Sequence, residues 1–92
     1  MNHDEICRDI SGELEDMARW LSKGELSPGQ FRSLLNSLEK KKLEGRGMKL
    51  SSEISIDGVV HFTLQFANTG ELCASMDVDP ITGKLTCQRA CG

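Results

Sequence analysis

The hydrophobic period of this chain switches once, near Met48, from that of a helix to that of a strand. Before the switch, Ile6, Ile10, Leu14, Met17 and Leu21 recur at spacings of four, four, three and four, which places them on one helical face. After it, Val60, Phe62, Leu64 and Phe66 alternate with His61, Thr63 and Gln65. Leu72, Ala74, Met76 and Val78 alternate in the same way with Cys73, Ser75 and Asp77. Such alternation marks strands with one buried face. A chain helical in its first half and stranded in its second buries both apolar surfaces by laying the helices on the sheet. The expected fold is therefore a two-layer α+β domain, with two N-terminal helices packed on one face of a four-stranded antiparallel β-meander (ααββββ).

Local signals set the boundaries. The first helix is expected over about residues 4–22, with Gly12 weakening its interior. "KGELSPGQF" breaks it and starts a second helix over about 28–43: Ser27 caps, Pro28 takes the first position, and Gln30 completes a capping box. Leu26 and Phe31 are placed for a hydrophobic staple. Phe31, Leu34, Leu35 and Leu38 form the second apolar stripe, and Gly45 and Gly47 end the helix. Strands are expected over about 48–56, 59–67, 71–78 and 84–88. "ANTGE" reads as a three-residue hairpin loop with Gly70 in the left-handed region, which sets Phe66 opposite Leu72, Leu64 opposite Ala74, Phe62 opposite Met76 and Val60 opposite Val78. "DPITGK" reads as the next turn. A two-residue turn at Asp57-Gly58 would put Ile54 opposite His61, against the alternation, so a longer loop or a bulge is expected there.

At 92 residues the chain has the length of one domain, 1–92, with room for a modest core. No apolar run is long enough to span a bilayer, so no membrane partner is expected. The start, "MNHDEICRDI", lacks the order of a signal peptide, which implies a cytoplasmic protein with mostly reduced thiols. Charge is segregated. Residues 1–26 carry seven acids and three bases, residues 27–50 two acids and six bases, and residues 51–92 five acids and two bases, for a net −3. The first helix bears an acidic stripe that includes Asp9, Glu13 and Asp16, with Trp20 beside it. The second segment concentrates Arg32, Lys40, Lys41, Lys42, Arg46 and Lys49.

Three arrangements raise the question of chemistry. His3 and Cys7 are four residues apart, as are Cys87 and Cys91, and a closed zinc site accepts three thiolates and one imidazole. Against this stands the burial that free cysteine favours: register turns Cys87 inward opposite Met76, and Cys7 borders the apolar stripe. A third-position histidine also suits Cu(II) or Ni(II) bound through the amino terminus. On the outer sheet face, His61 falls opposite Asp77, with Thr63 and Ser75 one pair along. These are the residue types of a nucleophile, base and orienter, but on a flat polar face without oxyanion donors. No glycine-rich phosphate loop is present, and the three phenylalanines fit core positions and leave no platform for stacking bases.

The stretch "LSPGQFRSLLNSLEKKKLEGRGMKLSSEISIDGVVHFTL" resembles the recognition-helix-to-wing segment of winged-helix repressors. That resemblance implies DNA binding through the helix, with the wing on phosphates. It covers under half of the chain, and the helix that would complete a helix-turn-helix before residue 27 is missing.

The leading expectation is a small, non-enzymatic protein-interaction or regulatory module without a cofactor, contacting a protein partner or a second copy of itself through Trp20, Asp9, Glu13 and Asp16 or through the outer face or edge of the sheet. The alternatives are a nucleic-acid binder using Arg32, Lys40, Lys41, Lys42, Arg46 and Lys49, and a small zinc domain using His3, Cys7, Cys87 and Cys91.

Overall fold

The structure, a computed structural model, describes residues 3–89. Helix α1 spans His3–Ser22 and α2 spans Pro28–Leu38. A π-helical turn, Glu39–Leu43, and a 3-10 turn, Glu44–Arg46, follow directly. Four strands complete the chain: β1 Met48–Ile54, β2 Val60–Phe66, β3 Leu72–Val78 and β4 Leu85–Arg89. They form one antiparallel sheet in the order β1-β2-β3-β4, the expected meander. Both helices contribute to one core with the sheet, and Ile10, Leu14, Phe62, Leu64 and Met76 are among its most deeply buried members.

The capping box forms as the sequence implies. The Ser27 hydroxyl accepts from the Gln30 backbone N–H at 3.2 Å, and the Gln30 side-chain Oε1 accepts from the Ser27 backbone N–H at 2.8 Å. Gly47 ends the helical segment at φ 71°, a left-handed conformation that glycine adopts without a Cβ clash.

Three local expectations are corrected. The second helix keeps α geometry only to Leu38, because the next inward position after Phe31, Leu35 and Leu38 would fall on Lys42. The wider π turn inserts one residue of phase and brings Leu43 into the core instead, fully buried. Leu34, expected in the buried stripe, is 37% exposed. The hairpin register holds at Val60↔Val78, Phe62↔Met76 and Leu64↔Ala74, but then shifts, so that Gln65, not Phe66, faces Leu72. This β-bulge leaves Leu72 exposed and Cys73 buried next to Ala74.

The first hairpin keeps its alternation through the longer loop. Ile54 pairs with Val60, and the Ser55 N–H donates to the Val59 carbonyl at 3.0 Å, so three residues form the tip. Gly58, at its end, adopts φ 88° and lies against Pro80 of the third turn. Both turns therefore stand at the same end of the sheet, in contact.

Candidate functional site

The acidic stripe of α1 and the basic segment after α2 meet each other. Lys42 Nζ donates to Glu13 Oε1 at 2.7 Å and to the Asp9 carbonyl at 3.1 Å. Arg46 donates to Asp9 Oδ2 at 3.1 Å. Asp16 pairs along its own helix with Arg19 at 2.7 Å. Two ion pairs thus join the acidic and basic regions of the sequence where α1 crosses the π and 3-10 turns. Each pair is half exposed and stabilises modestly, but together they hold one relative placement of the two segments. Of the residues expected at a partner interface, Asp9, Glu13 and Asp16 have internal partners. Of those expected at nucleic acid, Lys42 and Arg46 do as well. Arg32, Lys40, Lys41 and Lys49 have no ion pair among the described residues.

Trp20 is 36% exposed and sits at the end of this seam. With Met17, Leu34 and Leu38 it lines an apolar groove of about 260 Å³ between the helices. Glu13 and Asp16 stand on one bank, Lys41 and Lys42 on the other. Trp20 and Leu34 are thus the large exposed apolar groups of the helical layer, facing one another across a channel with banks of opposite charge. Periodicity alone assigned Leu34 to the core. Its exposure is decided by packing, which periodicity does not carry.

The three cysteines among the described residues are covalently bonded. Cys7 on α1 and Cys87 on β4 are joined by a disulfide that links positions 80 apart in the chain. Cys73 is also disulfide-bonded. The expectation of reduced thiols is thereby overturned. A cystine sulfur carries no thiolate, so Cys7 and Cys87 serve a metal only after reduction. The other two positions of the zinc set, the His3 side chain and Cys91, lie outside the described residues. Among the described residues no cluster of three His, Cys, Asp or Glu side chains is arranged to hold a metal ion.

On the outer face the register is as expected: His61↔Asp77 and Thr63↔Ser75. His61 Nδ1 lies 2.6 Å from Asp77 Oδ1, with both side chains partly exposed. An orienting carboxylate is thus in place, but among the described residues no hydroxyl hydrogen-bonds to the imidazole. In the neighbouring turn, hydrogen bonds from the Ser55 hydroxyl and then from the Val59 backbone hold the Asp57 carboxyl below its ordinary value.

Among the described residues no helix is long and apolar enough to cross a membrane. No family model, curated protein or solved structure matches the chain. The functional reading therefore rests on the geometry.

Proposed function

We propose that this chain is a small, non-enzymatic protein-interaction module whose contact surface is the groove between α1 and α2. One observation carries the reading: Trp20 and Leu34 remain exposed on opposite sides of an apolar channel, while the surrounding charges are arranged in two opposite banks. Exposed tryptophan beside apolar neighbours is a common anchor at interfaces. The occupant that fits is an amphipathic helix, its apolar ridge seated on Met17, Trp20, Leu34 and Leu38. Its acidic flank would face Lys41, which has no ion pair among the described residues.

The nucleic-acid reading loses support from the internal pairing of Lys42 and Arg46. The cystines bear on compartment, because they persist where the environment is oxidising and open under a reducing cytoplasmic poise. The zinc alternative belongs to that reduced form.

The test uses partners captured from the native cell on the wild-type chain and on Trp20→Ala and Leu34→Asp. A genuine partner is retained by the wild type, weakened at least tenfold by either change, and shifts Trp20 emission to shorter wavelength when it binds. Equal retention by all three chains, or blue, quencher-resistant emission from the free protein, would sink the proposal.

A further inference from the structure

The sheet has two edges, and the helices treat them differently. Along β4, α1 holds the Leu85 N–H through the Glu15 carboxylate at 2.9 Å and holds Cys87 through the disulfide. Along β1, the Leu50 N–H is taken by the Glu39 carboxylate at 2.8 Å. Beyond that point the edge is open. The Ser55 N–H and the Gly47 carbonyl both bond to the β2 side, so odd positions of β1 face β2 and even positions face outward. The N–H and C=O groups of Ser52 and Ile54 therefore point away from the sheet with no partner among the described residues.

Side-chain parity adds a second constraint. Ser52 pairs with Phe62 and Ile54 with Val60, which places both on the helix-facing side of the sheet. There they ought to be covered, yet Ser52 is exposed and Ile54 is 53% exposed. The sheet surface beside them opens into a cavity of about 350 Å³ walled by Pro28, Phe31, Arg32 and Leu35 of α2.

We propose that this open half of β1 is a docking site for an extended peptide segment of a partner protein, added to the sheet as a further strand. The unpaired backbone groups select the conformation of the occupant, since a strand satisfies them and a helix, with its own groups bonded internally, does not. Alternate side chains of an added strand enter the cavity, where Phe31 and Leu35 take an apolar group. Arg32, a cation on the wall with no ion pair among the described residues, takes a carboxylate. The occupant is thus a short strand carrying an apolar and an acidic residue on one face. Glu39 marks one end of the site by occupying the next outward N–H. This surface is separate from the Trp20 groove, and the failure of either leaves the other standing.

The experiment selects displayed random heptapeptides against the wild-type chain. Enriched sequences are expected to alternate, with an acid on the apolar face. Their binding is expected to fall at least tenfold when alternate peptide amides are N-methylated, and at least tenfold on Ser52→Pro, which removes one outward N–H from an edge position where proline is tolerated. Arg32→Glu, on an exposed helix face, should reduce binding similarly and serves as the reference if Ser52→Pro fails to fold. No enrichment, or peptides indifferent to both N-methylation and Arg32→Glu, would overturn the proposal.

Discussion

Replacing Cys7 and Cys87 together by alanine removes the cross-link between the first helix and the last strand while leaving the disulfide at Cys73 in place. In the chain-entropy treatment, the stabilisation comes from restricting the unfolded chain and grows with the logarithm of the closed loop. For a separation of 80 residues it amounts to about 4.5 kcal/mol at 25 °C. A domain of 92 residues has a total stability of about 5–14 kcal/mol, so this single bond accounts for a large share. With a slope of about 4–8 °C per kcal/mol, the double variant should melt about 20–35 °C lower. Calorimetry and urea unfolding under non-reducing conditions measure the shift. The urea slope should also rise, because the uncrosslinked chain exposes more surface on unfolding. A variant that melts within about 5 °C of the wild type, with the urea slope unchanged, would refute the argument that this long loop stabilises through the unfolded state.

Four further outcomes are expected. Ser27→Ala removes half of the capping box and should lower stability by about 1 kcal/mol in chemical denaturation, whereas Ser27→Asp should retain most of it. Glu39→Ala leaves the Leu50 N–H without its carboxylate, at a cost of about 1–3 kcal/mol, and should increase concentration-dependent association by sedimentation velocity; unchanged behaviour in both would show that the contact does not protect the edge. The Asp57 carboxyl should titrate below its ordinary 3.8 in a carbon-detected NMR titration and move upward in Ser55→Ala. Its contribution to stability is complete above that ordinary value and is lost as the pH falls through the depressed folded one. On immobilised heparin, Asp9→Asn with Glu13→Gln should bind more tightly than the wild type, because Lys42 and Arg46 are then released; equal elution salt would mean that those bases were never internally neutralised.

The sequence by itself determined what is local. The change of hydrophobic period near Met48 separated helices from strands, and alternation marked the buried side of β2 and of β3 from Ala74 onward. Ser27, Pro28 and Gln30 set the start of α2, and Gly47 and Gly70 supplied the left-handed residues that the end of the 3-10 turn and the second hairpin needed. These signals are legible because a helix or strand is specified within a few residues of itself. Tertiary structure alone decided the rest. The π turn that carries Leu43 inward and Lys42 toward α1, the bulge that exposes Leu72, and the exposure of Leu34 all arise from how finished elements fit together. The same holds for the pairings of Asp9 with Arg46, Glu13 with Lys42 and Cys7 with Cys87. Periodicity states which face of an element turns inward, but not which distant element it meets. For that reason two oppositely charged segments, each readable as a binding surface when taken separately, became a contact within the fold, and the Trp20 groove and the open edge of β1 are the candidate surfaces left.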